Sequence, residues 1–344
     1  MRHILFCKNP YAFDVLNQIK EVLKAQNEDF LWYVYPKIAD KFPFYGEPFT
    51  TKMEDLKAYR SDAIFVPGNE VPHNLRGVKV QVFHGLAGEK KSHFKIRHYF
   101  DLYLTQGSYF TNRFLKLKEK YKDFEVIETG WSKFDIYWSN PKKYQPVKEA
   151  LLIKYQADKI ILYAPTFSLS LTSAPFLKEE IKRLAENKNY LILIKFHDLM
   201  GKELIEDYIK LAESIDNVRF ESERNITKYL MVADLLISDT SSVIYEFLLL
   251  DKPVLTFKNI STQILWDNRL TYDNLAESVA ENLQKDTFKP QRKIISDTYH
   301  PYKDGHSAQR MVDAVRFYIK AFGVPERRKL SLFRKFKIYK EFGF

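Results

Sequence analysis

Short apolar runs alternate along the chain with longer stretches in which apolar positions return every three or four residues. Strand-like runs occur at His3–Cys7, Leu31–Tyr35, Ala63–Val66, Val78–Phe83, Leu102–Thr105 and Glu125–Glu128. After a polar, Lys-rich connection at Asn140–Gln145 they resume at Lys159–Ala164, Leu191–Lys195, Val218–Phe220, Leu235–Ser238 and Val254–Phe257. Runs this short are read as buried strands. Between them the period is helical. Val15, Ile19, Val22 and Leu23 share one face after the first strand, and segments 176–187, 202–214, 241–250 and 273–284 are predicted helices. Met311, Val315, Tyr318, Ile319 and Phe322 line one face of a long helix from His306 to Phe322.

Alternating strand and helix predicts an α/β protein with mostly parallel sheets covered on both faces. The alternation restarts once, so the expectation is two doubly wound domains facing a central cleft. The first is placed at 1–145 and the second at 146–305, with a closing helix at 306–324 and a basic tail at 325–344. The length of 344 residues suits two such domains.

Composition narrows the class. Hydrophobic residues are 45% and charged residues 28%, which excludes a disordered chain. One cysteine, Cys7, excludes a disulfide framework and a Cys-based zinc site. Apolar stretches such as Ile160–Ala164 and Phe247–Leu250 are far below the roughly 20 residues of a membrane span. Met1–Asn9 lacks the apolar core of a secretory signal, so a cytoplasmic protein is expected.

Candidate chemistry lies where strands end, because doubly wound sheets bind ligands at the carboxyl ends of their strands. The phosphate loop GxxxxGK[ST] and the fingerprint GxGxxG are both absent, and neither Asp-x-Asp nor HExxH occurs, so no dinucleotide cofactor or metal-held phosphate site is signalled, although carboxylates distant in sequence could still converge. Instead, Val78–Phe83 ends in His84-Gly85-Leu86-Ala87-Gly88, which sets an imidazole at a strand tip with room for backbone approach. Such a histidine is either a proton-transfer group or a satisfied loop residue. Lys195-Phe196-His197-Asp198 follows the next domain's second strand, and its cation and imidazole, two residues apart, are expected to face one side, which suits a diphosphate; the alternative is a surface lysine with a capping His-Asp pair. Asp239-Thr240-Ser241-Ser242 follows the buried strand Leu235–Ser238 and opens a helix, an arrangement suited to capping or to anion binding. Glu246, one turn on, could bond a ribose or substrate hydroxyl. Pro165 and Thr166 end the second domain's first strand, and Gly130–Asp135, with Lys133, ends the first domain's last strand.

Taken together, these clusters resemble the CDP-glycerol glycerophosphotransferase family, which builds teichoic-acid and related polymers. Its His-Gly-Thr-Pro is similar to His84-Gly85-Leu86-Ala87, and its Gly-x-Pro-Arg-x-Asp to Gly130-Trp131-Ser132-Lys133-Phe134-Asp135. Its Tyr-Ala-Pro-Thr stands intact at Tyr163-Ala164-Pro165-Thr166. Asp239-Thr240-Ser241-Ser242, Glu246, Asp251-Lys252-Pro253 and Asp304-Gly305-His306-Ser307-Ala308 resemble the remaining motifs. The Thr-Pro and Pro-Arg of the family are replaced by Leu86-Ala87 and Ser132-Lys133, which leaves the donor open among CDP-glycerol, CDP-ribitol, other CDP-alcohols and nucleotide sugars.

The resemblance implies a glycosyltransferase-B-type fold, a cytidine-diphosphate donor, a lipid-linked acceptor, no obligatory metal and His84 and His197 as catalytic histidines. His84 is expected to be the base and His197 to bind the phosphates, with the reverse assignment open. Donor contacts are expected from Gly85, Lys133, Pro165, Thr166, Lys195, Asp239, Thr240, Ser241, Ser242 and Glu246. A nucleotide-sugar glycosyltransferase is the alternative enzyme. The net charge of +10 with abundant Tyr and Phe also fits a nucleic-acid binder, but the aromatics fall at core-period positions, so no nucleic-acid partner is expected.

The charge is concentrated at one end. Residues 325–344 hold seven basic and two acidic side chains. There Leu332, Phe333, Phe336, Tyr339 and Phe342 recur at helical spacing, forming a basic amphipathic helix suited to an anionic membrane surface. Membrane contact is expected from Arg327, Arg328, Lys329, Phe333, Arg334, Lys335, Phe336 and Lys337, placing the protein at the inner face of the cell membrane. Packing of this helix back onto the first domain is the alternative.

Overall fold

The computed structural model describes residues 1–86, 91–223 and 225–343. The chain divides into two compact units, Asn140–Asp297 and a discontinuous one made of Met1–Ser139 with the segment from Thr298 onward. In the first unit the strands are β1 (Arg2–Cys7), β2 (Asp29–Val34), β3 (Phe49–Thr50), β4 (Ala63–Val66), β5 (Val78–Gln81), β6 (Leu102–Thr105) and β7 (Glu125–Glu128). They pair in parallel in the order β3-β2-β1-β4-β5-β6-β7. In the second unit β8 (Lys159–Tyr163), β9 (Tyr190–Ile194), β10 (Val218–Phe220), β11 (Leu235–Ser238), β12 (Val254–Phe257) and β13 (Asp267–Arg269) pair in parallel as β10-β9-β8-β11-β12-β13. Both orders reverse direction once, between β1 and β4 and between β8 and β11. Crevices form at such switch points.

The apolar runs form these sheets because helices cover both faces. Strands β4, β5, β6, β11 and β12 are buried along their whole length. The helix Ala12–Ala25 turns Val15, Leu16, Ile19 and Leu23 inward and ends before Asn27, whose φ of 53° is left-handed. The short edge strands β3 and β13 lack apolar runs, which is why the hydrophobic pattern does not show them. Strand β5 stops two residues earlier than its apolar pattern, because Phe83 leaves extended geometry for a φ of 59°.

The domain boundaries differ from those expected. The first unit releases the chain after Ser139 and takes it back at Thr298, so residues 298–305 and the helix Ser307–Phe322 belong to it. Three contacts cause the return. Trp131 N–H donates to His300 Nε2 at 2.9 Å. Asp135 accepts the backbone N–H groups of Ser307 at 2.8 Å and Ala308 at 2.6 Å, satisfying orphan donors of the returning helix. Gly130, at φ 83°, lies so close that a Cβ would sit 2.5 Å from Ser307 Oγ, and only glycine fits.

The tail also folds back onto the first unit. The helix Leu332–Phe342 buries Ile338 completely and sets Phe342 edge-on to Phe6 at 5.6 Å. Lys337 and Lys8 share Glu70, whose carboxyl is held below its ordinary pKa by these cations against the opposing effect of burial. Arg328 is 9% exposed and forks between the carboxylates of Asp101 and Asp123 and the carbonyls of His98 and Asp123. It is therefore a structural anchor and is withdrawn from the expected membrane contacts. Arg334 is partly engaged as well, donating to Arg97 O and lying over the Tyr99 ring. Leu332, Phe333, Phe336 and Tyr339 remain outside, each 62–82% exposed. Among the described residues no helix is long and apolar enough to cross a membrane.

Two predictions follow from this packing. Arg328→Ala strands the buried Asp101 carboxylate and should destabilise the first unit by about 3 kcal/mol, read as an earlier denaturant midpoint; an unmoved midpoint would show that water reaches the pair. Burial also holds His300 at a pKa of about 4 and His93 at about 3, assisted by nearby arginines. Between those values and the ordinary 6.5 the unfolded chain binds the extra protons. Stability is then complete above about pH 6.5 and declines as pH falls toward 4. A denaturant midpoint that stays flat over that window would contradict this.

Candidate active site

In the first unit the site is built around the end of β5. Gln81, the last residue of β5, is 2% exposed, and Val82 N–H still pairs with Val66 O at 3.1 Å. Phe83 then adopts its left-handed backbone, uncommon for a bulky residue. Two aromatic neighbours hold it. Its carbonyl accepts from Trp131 Nε1–H at 3.3 Å, and its ring stacks on His93 at 4.8 Å. This turn places His84 at the carboxyl end of the sheet, exposed, with its ring 5.3 Å from that of Tyr11 in the loop after β1. His84 Nδ1 lies 3.0 Å from Pro67 O in the loop after β4. A carbonyl only accepts, so Nδ1 carries the proton and the neutral ring keeps its lone pair on Nε2.

Among the described residues, no atom beyond its two chain neighbours lies within 4 Å of where a Cβ on Gly85 would stand. Ala87 and Gly88 of the expected cluster lie outside the described residues. Lys133 reaches over the Trp131 indole at 5.5 Å, so the Gly130–Asp135 segment both supports the His84 turn and carries a cation.

In the second unit, β8 and β11 flank the switch point, and their tips are joined by one carboxylate. Asp239, fully buried, accepts from Thr166 N at 2.8 Å and Thr240 N at 2.6 Å with Oδ1. Its Oδ2 accepts from Ser173 N at 2.8 Å and Ser173 Oγ at 2.9 Å, while its carbonyl accepts from Asn259 Nδ2. Burial pushes its pKa up and these donors oppose the shift. Both oxygens are thus spent on the protein. Asp239 organises the loops that present Pro165, Thr166 and Thr240; as a direct ligand of the donor it is corrected to a positioning residue.

Ser241 and Ser242 precede a helix of only seven residues, Val243–Leu249, and no side chain caps it. Ser241 Oγ stands 3.4 Å from Val243 N, at the long limit of a hydrogen bond, so the expected cap is weak. Ser241 is half-buried, Ser242 exposed and Glu246 buried in the helix.

Lys195 follows β9 directly. It is 6% exposed and its ammonium donates to Phe196 O at 2.7 Å. His197 is turned outward, with its ring 4.5 Å from Phe167. Its Nδ1 accepts Leu199 N–H at 3.1 Å, which leaves the ring proton on Nε2. Desolvation lowers its pKa; Asp198 opposes this and Lys195 adds to it. The neutral donor form is favoured. The two histidines thus occupy opposite tautomers.

Sequence reasoning missed Gln81, Pro67, Tyr11, Trp131 and Ser173 as members of the site. Gln81 had a signal, a polar side chain that, like Lys79, alternates with the valines of a buried strand. Pro67 and Ser173 had none, since they act through a backbone carbonyl and through an acceptor distant in sequence.

Residues 75–316 match the family model described as CDP-glycerol:poly(glycerophosphate) glycerophosphotransferase. The chain is 30% identical over 228 residues to the teichoic acid glycerol-phosphate primase of Bacillus subtilis, covering 62% of this chain and 57% of that one. It is 29% identical over 216 residues to the teichoic acid ribitol-phosphate polymerase TarL of Staphylococcus aureus, covering 56% of this chain and 37% of that one. The chain thus spans about half or less of the length of these relatives. The solved wall teichoic acid polymerase TagF superposes with a TM-score of 0.66 at 16% identity, over 93% of this chain and 89% of that one. S. aureus MnaA, solved with UDP, superposes at 0.67 with 13% identity, over 96% of this chain and the whole of that one. Those likenesses establish the glycosyltransferase-B-like α/β fold, and the matched span establishes the rest: the chain belongs to the CDP-glycerol:poly(glycerophosphate) glycerophosphotransferase family.

Proposed function

We propose that this protein transfers glycerol phosphate, or a closely similar polyol phosphate, from a CDP-alcohol to a hydroxyl on a lipid-linked acceptor in wall-polymer synthesis. The observation that carries the reading is the pair of opposite tautomers. Nε2 of His84 holds a lone pair, as a base needs, and Nε2 of His197 holds a proton, as a phosphate ligand needs.

In the reaction, the acceptor oxygen attacks the β-phosphorus of the donor while His84 Nε2 takes the hydroxyl proton. The bond between the β-phosphorus and the bridging oxygen breaks, and that oxygen leaves with CMP. Negative charge grows on the leaving phosphate, where the His197 Nε2–H, the Lys195 ammonium and hydroxyls of Thr166, Thr240, Ser241 and Ser242 serve as donors. Lys133 adds a cation and Glu246 an acceptor for a donor hydroxyl. No step is assigned to a metal. The relatives' names support the reading: they are glycerol-phosphate and ribitol-phosphate transferring proteins, and TagF has been solved as a histidine-to-asparagine variant soaked with CDPG.

We further propose that the protein works at an anionic membrane surface, on the inner face of the membrane. Leu332, Phe333, Phe336 and Tyr339 stand exposed on a helix whose opposite face is anchored, with Lys329, Lys335, Lys337, Lys340 and Arg327 around them. An apolar strip with a basic margin matches an anionic bilayer surface.

His84→Ala should lower kcat for CMP release by at least about a hundredfold with little change in donor KM, whereas His197→Ala should act chiefly through donor KM. Near-normal turnover by His84→Ala would falsify its role as the base. For the tail, truncation would remove Arg328 and Ile338 from the first unit, so point changes are the cleaner probe. Replacing Leu332, Phe333 and Phe336 by Ser should abolish sedimentation with phosphatidylglycerol vesicles while leaving the melting curve in place. Equal sedimentation of the two proteins would remove this surface from the account.

A further inference from the structure

The buried amide of Gln81 does not touch the surface on which the proposed chemistry occurs, and its strand otherwise holds Val78, Val80 and the buried Lys79, whose ammonium donates to Leu75 O at 2.6 Å. Its Nε2 stands 3.3 Å from Val66 O, 3.2 Å from Pro67 O and 2.8 Å from Gly68 O. These are consecutive carbonyls of the segment that leaves β4. Val66 and Gln81 are partners in the sheet register, so the side chain reaches across the ladder's last rung onto its neighbour's exit loop. The middle carbonyl of the three, Pro67 O, is the one that accepts His84 Nδ1–H.

We propose that Gln81 is a positioning residue for His84: it fixes the direction of the Pro67 carbonyl, and that carbonyl fixes the tautomer of the base. Several facts support this assignment. Proline has no N–H, so residue 67 itself presents only an acceptor, and the one donor of its carbonyl's peptide group, Gly68 N–H, points the opposite way in a trans peptide. The amide supplies two N–H bonds and no charge, which orients carbonyls without adding a titrating group beside the histidine. A free imidazole prefers its proton on Nε2, the tautomer with no lone pair where the base needs it. The Pro67 contact reverses that preference, and a carbonyl free to rotate would not. The same logic holds a histidine base in place by a carboxylate in other enzymes, but here the orienting group is a peptide carbonyl held by an amide.

The inference rests on His84 being the base, and the decisive readout is independent of turnover. In intact protein carrying nitrogen-labelled histidine, long-range proton–nitrogen correlation distinguishes the two neutral tautomers, with the His84 signal identified by its loss in His84→Asn. The wild-type ring should be protonated at Nδ1. In Gln81→Met, which keeps the length of the side chain and removes its donors, the signal should move toward the Nε2–H pattern. In CMP release from CDP-glycerol, kcat should fall by at least about tenfold with donor KM within about twofold. Gln81→Asn, which retains an amide, should recover part of kcat when Gln81→Met does not.

A wild-type His84 protonated at Nε2 overturns the proposal whether or not any variant folds. So does a Gln81→Met protein with the wild-type tautomer. If the tautomer shifts as expected but no CDP-alcohol is turned over by the wild type, the positioning of His84 stands and the functional reading falls.

Discussion

A peptide carbonyl can accept a proton but never supply one, and at Pro67 that constraint decides what the neighbouring imidazole can do. The hydrogen bond from His84 Nδ1 to Pro67 O spans 3.0 Å, and most of the first unit's local structure around it serves to bring the two groups together. The reversal of strand order between β1 and β4 opens the crevice. The left-handed turn at Phe83, pinned by Trp131 and His93, points the ring into it. Strain of this kind costs of order 1–3 kcal/mol and persists only where packing enforces it. Trp131 is itself locked by His300, on the segment that returns from the second unit. The discontinuous chain path is therefore part of how the turn that carries His84 is held.

The second unit solves a related problem with a different device. Asp239 gathers the tips of β8 and β11 and the loop at Ser173 through four donors, so the residues on either side of the switch point are presented by a single buried carboxylate. A buried carboxylate saturated in this way resembles a structural staple more than a ligand. Desolvation and a hydrogen bond from Leu199 prepare His197 as a neutral donor beside Lys195. His84 Nδ1 faces a carbonyl and His197 Nδ1 faces an N–H, so it is the backbone partners of the two rings that set their opposite tautomers.

Much of the fold was legible because burial on both faces demands continuous apolar runs. Eleven of the strands coincide with such runs to within two residues at each end, and β3 and β13, edge strands of two and three residues, do not. The helix Lys289–Tyr299 went unread because few of its positions are apolar, and so did the return of the chain to the first unit, which depends on the contacts of Asp135 and Gly130 with residues more than 150 positions away. In the candidate site the polar residues at strand ends were legible and their supports were not. His84, Lys195, His197 and Asp239 announce themselves at strand ends, but whether a carboxylate binds a ligand or a loop is set by donors that no local pattern reveals. The tail shows both sides of this. Its amphipathic period was readable, whereas the commitment of Arg328 to Asp101 and Asp123 was not.

The central claim is that phosphorus, not carbon, is attacked, with CMP as the leaving group. Mass spectrometry of the product formed from CDP-glycerol and a lipid-linked hydroxyl acceptor, with the released nucleotide quantified in the same sample, tests this most directly. The acceptor should gain whole glycerol-phosphate units, with one CMP released for each unit added. Release of CDP with transfer of glycerol alone, or release of CMP with no gain on the acceptor, would contradict it.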